Sequence, residues 1–348
     1  MEKGKTMAIE KQPYLVDVPV RVNIWIRPEA QRRQFEVLKQ ARPSMMFLIS
    51  DGGRNEKEWD AILKNRQLFE DEVDWECTIY RIFEDKNNGL YTMAKKATEL
   101  IWSTVDRCIF LEDDHVPSVC FFQYAAELLE KYKDDTRIST ICSMNHTGCW
   151  EDASSDYIFS ETGAIWGTAT WKRVFEQRKN CFDYKEDPYT FALLKESAKK
   201  DKFLRDQIIG YAENEKYRGH IAGGEFYNSF NVYGNHQLFI VPKYNMMNNV
   251  GCTSNSAHAT EYELLPKAIR KIFNMETYEY EFPLKHPKYV VPDQKYAKAV
   301  YRIMAYNRPM RALGRRTEAA WLSLRHKGLH GLIKRSKRAR QNKMKIET

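Results

Sequence analysis

Short apolar runs and longer amphipathic segments alternate along the first third of the chain. Apolar runs predict strands at 20–27, 45–50, 77–83 and 108–111. Apolar residues recur at helical spacing in the segments between them, at 29–42, 56–70 and 90–105. Strands that alternate with helices in this way are typical of βαβ units. The pattern predicts an α/β fold with a central, mostly parallel sheet flanked by helices.

The pattern is weaker after residue 111. Ser118 is a plausible N-cap for a helix that contains Phe121, Ala125 and Leu128 on one face. Residues 146–160 have the composition of a loop. Two further helices are predicted, at about 171–177 and 188–211.

Three consecutive carboxylates, Glu112, Asp113 and Asp114, follow the fourth predicted strand. Taken alone, this triplet would be read as an acidic loop in water. However, parallel strands end at a common edge, so Arg27 after the first strand and Asp51 after the second are expected nearby. Ligands of open α/β sheets bind at this edge.

The same edge has candidate groups for binding phosphate. Asn87 and Gly89 form a turn that leads into a helix, and Arg54 follows the second strand. Backbone N–H groups at a helix start favour anions, and carboxylates are ligands for hard divalent cations. A diphosphate bound with Mn²⁺ or Mg²⁺ explains this combination.

Composition excludes several other classes of protein. Hydrophobic residues make up 43% of the 348 residues, enough to build a core, so general disorder is excluded. Seven cysteines without a CxxC pair argue against a disulfide framework or a structural zinc site. No apolar run is long enough for a membrane span. We expect a cytoplasmic protein.

The ordered motifs resemble a bacterial group of nucleotide-diphospho-sugar glycosyltransferases with the GT-A fold. The acid triplet is similar to the Glu-Asp-Asp site of N-acetylglucosaminyltransferase I. The resemblance covers about residues 20–296, through the segments FLISDGGR, FEDKNNGL, FLEDDHVPSV, IWGTATWKRVFE, LFIVPKYNMMNNVG, SAHAT and FPLKHPKYVVPD. It implies a metal-dependent transferase that uses a nucleotide-sugar donor, most simply UDP-linked, and a glycan or lipid-linked oligosaccharide acceptor in surface polysaccharide or glycolipid assembly.

The resemblance also implies roles for individual donor-site residues. Asp114 binds the metal, and His258 reaches the metal or the diphosphate. Asp113 faces the donor sugar, and Glu112 faces the ribose or a metal-bound water. Asp51 contacts the nucleoside base, Arg54 contacts a phosphate, and the turn of Asn87 and Gly89 contacts the nucleotide. Arg27 is a phosphate contact by its position at the strand end rather than by the resemblance.

Inverting transfer needs a base for the acceptor hydroxyl. Glu225 matches an acidic position that is a candidate base in the family, although a solvated loop glutamate is an equally good interpretation of it. Asp206 and Asp156 are the alternative bases. Trp166 and Trp171 are candidates for stacking on an acceptor sugar, or else for the core.

The charge is unevenly distributed. Residues 297–348 contain 15 Lys or Arg and two Glu, whereas the rest of the chain is mildly acidic. This tail predicts a helix with an apolar arc of Trp321, Leu322, Leu324, Leu329, Leu332 and Ile333, which would hold the protein peripherally at an anionic, inner membrane surface. The predicted parts are a polar leader (1–17), a nucleotide-sugar-binding half (18–145), an acceptor-binding half (146–296) and the basic tail (297–348).

Two other functions remain open. The basic tail is compatible with a protein that binds nucleic acid or anionic surfaces through a vestigial fold, but the chain has no RNA-recognition signature and its body is acidic. A nucleotidyltransferase would share the sheet and the metal. That class normally has a glycine-rich loop after the first strand, where this chain has RPEAQRR.

Overall fold

The protein is described by a computed structural model over residues 11–178, 183–199, 201, 203, 205–209, 224–252 and 262–347, without the side chains of 207, 224–225 and 331–347. The strands are β1 (Val16–Ile24), β2 (Pro43–Ser50), β3 (Thr78–Phe83), β4 (Arg107–Leu111), β5 (His115–Pro117), β6 (Ile138–Cys142), β7 (Tyr157–Ser160), β8 (Thr168–Trp171), β9 (Leu238–Pro242) and β10 (Met247–Asn249). The helices are α1 (Pro28–Ala41), α2 (Glu56–Glu72), α3 (Leu90–Thr104), α4 (Cys120–Lys131), α5 (Lys172–Glu176), α6 (Pro188–Ala198), α7 (Gly224–Tyr233), α8 (Lys267–Arg270), α9 (Gln294–Met304) and α10 (Pro309–Glu347).

An eight-stranded sheet with the order β3-β2-β1-β4-β8-β6-β9-β7 forms the centre of the fold. Strands β1 to β4 are parallel to their neighbours in this group, and β6 is parallel to β9. Strands β8 and β7 run antiparallel to their neighbours. The predicted α/β class with a mostly parallel sheet is confirmed.

Apolar layers cover both faces of the sheet. On one face, Val20 and Val22 of β1 pack in a cluster with Phe35 of α1 and Phe121 of α4. On the other face, Phe47 of β2 belongs to a cluster with residues of α3. Helices therefore flank the sheet on both sides, as the sequence predicts, and the polar ends of the strands are left for a site.

The start of α4 differs from the prediction. Ser118 does not cap this helix, because its hydroxyl donates to the carbonyl of Tyr278 at 2.8 Å. The carboxylate of Glu279 instead accepts from the N–H groups of Val119 and Cys120, at 3.2 and 2.9 Å. The cap comes from a residue about 160 positions away, which no local pattern can predict.

Two further predictions about elements were wrong. Strand β7 lies inside the segment 146–160, which was predicted to be a loop. Its four residues show no clear alternation of apolar and polar side chains, and they form a strand through pairing with β9. The helix predicted over 188–211 ends at Ala198, and a separate π-helical turn spans Arg205–Ile209.

Two elements of the structure extend across the predicted boundaries at 17 and 297. The predicted leader 1–17 includes the start of β1, and Gln12 forms a bridge with Trp75. Helix α9 runs through the predicted boundary at 297, and its Tyr296 and Val300 are buried. The predicted basic helix is present as α10, in which Gly328 has a φ of 62° that breaks the regular helix. Among the described helices, none has the length and apolarity needed to cross a bilayer.

Candidate active site

Arg27 lies between two of the predicted acids. It is the N-cap residue of α1, just beyond the end of β1. Its Nη1 donates to Asp113 Oδ1 at 2.7 Å and lies 3.3 Å from Asp114 Oδ2. All three side chains are largely buried. The structure thus brings together the ends of β1 and β4, as the parallel sheet predicts.

Glu112 is held by polar side chains on β1. Its carboxylate accepts from Asn23 Nδ2 and lies 3.9 Å from Arg21 Nη2. Arg21 Nε donates to Asn23 Oδ1 at 2.9 Å. Side chains alternate along a strand, so these two residues share the face of β1 opposite Val22. Three acids therefore face two arginines, which leaves an excess of negative charge when all are ionised.

His115, which the sequence pattern did not single out, is buried beside the acids at the start of β5. Its Nδ1 accepts from the backbone N–H of Glu112 at 3.0 Å and of Gly167 at 3.2 Å. Burial lowers the pKa of His115, so the ring is neutral and carries its proton on Nε2, which lies 3.6 Å from Asp114 Oδ1. In the sequence, the position of His115 directly after the acid triplet was the one feature that pointed to a role at this site. We call Arg27, Glu112, Asp113, Asp114 and His115 the acid edge.

Two glutamines on the buried face of α1 fix the turn of the acid edge. Gln34 Nε2 donates to the carbonyls of Glu112 and His115, each at 2.7 Å. Gln31 Nε2 donates to Gln34 Oε1 at 2.8 Å. Neither glutamine is exposed to solvent. In the sequence, these glutamines are polar residues on the apolar face of an amphipathic helix, which indicates that they have buried partners. The sequence does not show which groups those partners are.

Strand β10 closes over Asp114 from the other half of the chain. It pairs antiparallel with β5, so Asn249 lies opposite His115. Asn249 Nδ2 lies 3.4 Å from Asp114 Oδ1, and its Oδ1 accepts from Gly251 N at 2.9 Å. A Cβ added to Gly251 would lie 1.8 Å from Asp114 Oδ2. Only glycine leaves room for the carboxylate at this position.

One carboxylate oxygen of Asp113 is unpaired within the described part of the chain. Its Oδ2 is buried and has no hydrogen-bond partner among the described residues. Burial raises the pKa of Asp113 to about 7, against the opposing effect of Arg27. Unpaired buried acceptors are rare and costly, so this oxygen is suited to a hydroxyl or cation from a ligand.

The acid edge fits a divalent cation that is shared with a ligand, rather than one enclosed by protein. Within the described ranges, no three His, Cys, Asp or Glu side chains are grouped to hold a metal ion. Magnesium-type ions need only one or two carboxylates when phosphate and water supply the other ligands. Asp114, in the space that Gly251 leaves, supplies such a carboxylate. His258 lies outside the described residues.

Asp51 organises the second predicted contact region. Its Oδ1 accepts from the N–H groups of Gly52 and Asn88 at 2.9 and 2.8 Å, and its Oδ2 accepts from Gly89 N at 2.8 Å. Asn87 Nδ2 donates to the carbonyl of Gly52 at 2.9 Å. Gly89 is the N-cap residue of α3 with a φ of 84°, which favours glycine. These predicted residues form one loop pair, in which Asp51 Oδ2 accepts one of the hydrogen bonds described and keeps a lone pair for a ligand.

Arg54 is paired with an acid in this structure. Its guanidinium lies 2.6 Å from Glu58 Oε1, and its side chain is 60% exposed. It also lies over the ring of Trp25, 5.8 Å from the ring centre. A phosphate at this position would compete with Glu58 for Arg54.

Arg66 is a further residue that the sequence did not reveal. Its Nη2 donates to the carbonyls of Ser50, Asp51 and Glu84, at 3.2, 3.2 and 2.8 Å. It thereby joins the carboxyl ends of β2 and β3 from α2. Arginine at a helix position is usually a solvated side chain, so this role depends on the tertiary structure.

A cavity of about 350 Å³ lies next to the acid edge. Trp166 lines it, and the adjoining Gly167 donates its N–H to His115. Aromatic and apolar side chains form most of the wall, among them Phe203, Val232, Tyr233, Ile272, Tyr301 and Tyr306. We call this the Trp166 cavity. It matches the kind of pocket that binds sugar rings or other apolar surfaces.

Two polar groups stand out in the wall of this cavity. His146 has a buried Nδ1 with no partner among the described residues, and burial lowers its pKa to about 4. The ring is therefore neutral near pH 7 and is able to bond a hydroxyl. Glu161, which the sequence did not single out, supplies a carboxylate. The cavity thus combines an aromatic wall with groups suited to a hydroxylated ligand.

The other predicted acceptor residues have different positions. Trp171 is 3% exposed, and its indole N–H donates to the carbonyl of Leu129 at 3.0 Å. It belongs to the core and does not line the cavity. Glu225 lies in α7, and its side chain is outside the described residues. Asn228, Ser229 and Val232 of the same helix line the cavity.

The two alternative bases lie on other elements of the fold. Asp156 precedes β7, which is an edge strand separated from β4 by β8, β6 and β9. Its Oδ2 accepts from Lys285 N at 2.6 Å, which gives it a structural role. Asp206 lies in the π-helical turn Arg205–Ile209, which packs with α6 and α7.

A larger groove of about 530 Å³ lies at the opposite edge of the sheet. Asp17, Arg107 and Lys172 are among its lining residues, and they lie at or next to the amino ends of β1 and β4 and at the start of α5. Open α/β sheets bind ligands at the carboxyl edge, so the acid edge remains the candidate site.

Comparisons with known proteins give only distant structural similarity. No family model matches the chain, and no curated protein matches it. Among solved structures, the chain is similar to a mannosyltransferase from Pyrobaculum calidifontis in complex with GDP-Man and Mn²⁺, with a TM-score of 0.36, 10% identity, and coverage of 66% of this chain and 73% of that chain. It is also similar to a UDP-glucose pyrophosphorylase complexed with UDP-glucose, with a TM-score of 0.33, 9% identity, and coverage of 66% and 91%. Since both TM-scores are below 0.5, we draw no functional conclusion from them.

Proposed function

We propose that the protein is a metal-dependent glycosyltransferase that transfers a sugar from a nucleotide-diphospho-sugar, most simply UDP-linked, to a glycan hydroxyl. The observation that carries this proposal is the position of Asp114. Its carboxylate fits against Gly251 at the carboxyl edge of the sheet, and the neighbouring His115 accepts from Gly167, which adjoins Trp166 in the wall of the cavity. A charged edge suits the diphosphate donor, and the adjoining cavity suits the acceptor.

The donor is proposed to lie along the carboxyl ends of β1, β2 and β4. The loop pair of Asp51 and Gly89 holds the nucleoside, and Asn87 fixes this loop through Gly52. Asp114 holds Mn²⁺ or Mg²⁺, which would neutralise charge on the diphosphate leaving group when bound. Arg27 adds a fixed positive charge 3.3 Å from Asp114.

Asp113 and Glu112 are proposed to position the donor. The unpaired Oδ2 of Asp113 accepts a hydroxyl of the donor sugar, which would satisfy the buried oxygen. Glu112 faces the ribose or a metal-bound water. His115 and Gln34 hold both acids in place through the backbone bonds described above, so little reorganisation is needed during the reaction.

The acceptor is proposed to bind in the Trp166 cavity. Its hydroxyl oxygen forms a bond to the anomeric carbon as the bond from that carbon to the diphosphate oxygen breaks. A carboxylate takes the hydroxyl proton, and attack from the opposite side inverts the configuration. Position 225 is one turn before Asn228 and Ser229 on α7, which line the cavity, and this supports Glu225 as the base. Glu161 in the cavity wall is the second candidate.

Ligand binding tests this proposal before any acceptor is known. The protein is heated with a panel of nucleotide-sugars, with and without Mn²⁺, and its melting temperature is measured. We expect one nucleotide-sugar to raise the melting temperature only when Mn²⁺ is present, since a ligand that binds the native state stabilises it. Asp114→Ala should abolish this shift. Equal stabilisation without metal, or in the variant, would contradict the proposal.

A further inference from the structure

The first half of α10 has one face that is docked on the body of the protein. Ala319, Leu322 and Ser323 are buried. The carboxylate of Glu318 accepts from Lys267 N at 2.8 Å, and Arg315 donates to the carbonyl of Ile303. These contacts fix how the helix is rotated about its axis. The apolar arc predicted from the sequence is therefore partly wrong, because Leu322 faces the body.

The opposite face of α10 has a row of exposed apolar side chains. Met310, Leu313, Trp321 and Leu324 are 78%, 54%, 54% and 42% exposed. At about 100° per residue, these four positions fall within an arc of about 80°, centred about 170° from the buried residues. We call these four residues the exposed stripe. The side chains of Leu332 and Ile333 lie outside the described residues.

Basic side chains flank the exposed stripe on both sides. Arg311 and Arg325 are at one border, Arg316 and Lys327 at the other, and all four are exposed. The guanidinium of Arg325 lies over the ring of Trp321, 5.2 Å from its centre. Beyond residue 330 the sequence adds seven Lys or Arg and one Glu. An apolar row between basic borders is the pattern of a helix that lies in a membrane interface.

We propose that the exposed stripe docks the protein on the surface of a bilayer that contains anionic phospholipids, with α10 lying parallel to that surface. The charges favour lipid over a second copy of the chain. Two stripes packed together would bring eight basic side chains into proximity, and Glu318, the acid on this part of the helix, is already bonded to Lys267. Anionic headgroups neutralise these charges, and the apolar side chains enter the interface. This inference does not depend on the proposed enzymatic function.

Vesicle partitioning of the full chain tests the proposal. The vesicles are phosphatidylcholine alone or phosphatidylcholine with about one third phosphatidylglycerol. The stripe variant carries Leu313→Gln, Trp321→Gln and Leu324→Gln. The matched control replaces three leucines of similar exposure elsewhere, namely Leu15→Gln, Leu63→Gln and Leu193→Gln. Melting temperature and circular dichroism establish that each variant is folded.

We expect the wild type to bind the anionic vesicles and to be released by salt. The partition coefficient of the stripe variant should fall at least about tenfold, which corresponds to about 1.4 kcal/mol, while the control stays at the wild-type value. Arg316→Gln with Arg325→Gln should weaken binding to anionic vesicles without changing binding to phosphatidylcholine. If the stripe variant binds as the wild type does, the proposal is wrong. It is also overturned if light scattering shows a wild-type dimer that the stripe substitutions dissociate.

Discussion

The acid edge and the Trp166 cavity are neighbours, yet their construction differs. At the acid edge, hydrogen bonds of Gln34 and His115 fix the backbone of the turn, and Arg27 donates to the carboxylate of Asp113. In the cavity, aromatic and apolar side chains form most of the wall, and His146 has a nitrogen without a partner in the described structure. Directional polar contacts thus fix the acid edge, whereas the Trp166 cavity offers a largely apolar surface.

This difference follows from what each region is proposed to bind. A diphosphate and a cation carry high charge, so their protein partners must be held in advance to avoid a cost of reorganisation. A sugar ring or lipid presents apolar surface, which aromatic side chains contact with less demand on direction. We therefore expect substitutions at the acid edge to lower kcat, and substitutions in the cavity to raise the KM of the acceptor. The predictions below test this division.

The largest effect is expected from Asp114→Ala. Loss of the proposed metal ligand should lower kcat by about 10³-fold or more, because charge on the leaving group would no longer be neutralised. The partly exposed carboxylate does not belong to the core, so the melting temperature should change little. Steady-state kinetics at saturating Mn²⁺ measures the effect, and Asp60→Asn on the exposed surface of α2 is the control. Near wild-type activity in the Asp114 variant would show that no metal essential for transfer binds through Asp114.

Glu225→Gln and Glu161→Gln identify the base. The amide keeps the shape and removes the proton acceptor, so kcat should fall by about 10²- to 10⁴-fold for the residue that acts as the base. We expect this for Glu225, with an unchanged donor KM and a smaller effect for Glu161. The reverse order would move the role to Glu161. If neither changes kcat, a retaining mechanism is favoured.

Gly251→Ala tests the space beside Asp114. The new Cβ would occupy the position of the carboxylate, so Asp114 has to move and kcat should fall by about 10²-fold. Gly314→Ala is the matched control, since a Cβ there meets no atom within 4 Å. It should leave activity unchanged. Equal activity of the two variants would mean that the geometry of Asp114 is not critical.

Trp166→Leu should act on the acceptor alone. Loss of the aromatic surface is expected to raise the acceptor KM by about tenfold while the donor KM stays constant. Kinetics with each substrate varied in turn separates the two constants. A selective rise in the donor KM would place the donor, rather than the acceptor, in the Trp166 cavity.

A separate prediction, independent of activity, concerns stability and pH. The pKa of His146 in the native state is about 4, below the value of about 6.5 for an unfolded histidine. The unfolded state then binds more protons between these values, so this contribution is complete above pH 6.5 and is lost as the pH falls towards 4. The unfolding free energy of the wild type should fall as the pH is lowered from 6.5 to 4. In His146→Gln this fall should be smaller by at most about 3 kcal/mol, measured by urea denaturation. An identical pH profile for the wild type and the variant would contradict this.

The two regions also differ in how far the sequence predicts them. The acid edge could be anticipated because Asp51 and Glu112 directly follow apolar strands, and parallel strands bring such ends together. The supporting residues could not be anticipated, because Gln34, Gly251 and Glu279 act on segments 78 to about 160 positions away along the chain. In the cavity, Trp166 and Trp171 looked equivalent. Only the packing shows that Trp171 belongs to the core.

The identity of the released nucleotide tests the central claim most directly. The protein is incubated with Mn²⁺, a nucleotide-sugar that raises its melting temperature and a mixture of oligosaccharide acceptors, and the products are separated by anion-exchange chromatography. Glycosyl transfer predicts a nucleoside diphosphate in equal amount to the sugar transferred, with no product from Asp114→Ala. Release of a nucleoside triphosphate when pyrophosphate is added, without any sugar transfer, would show a nucleotidyltransferase and contradict the account.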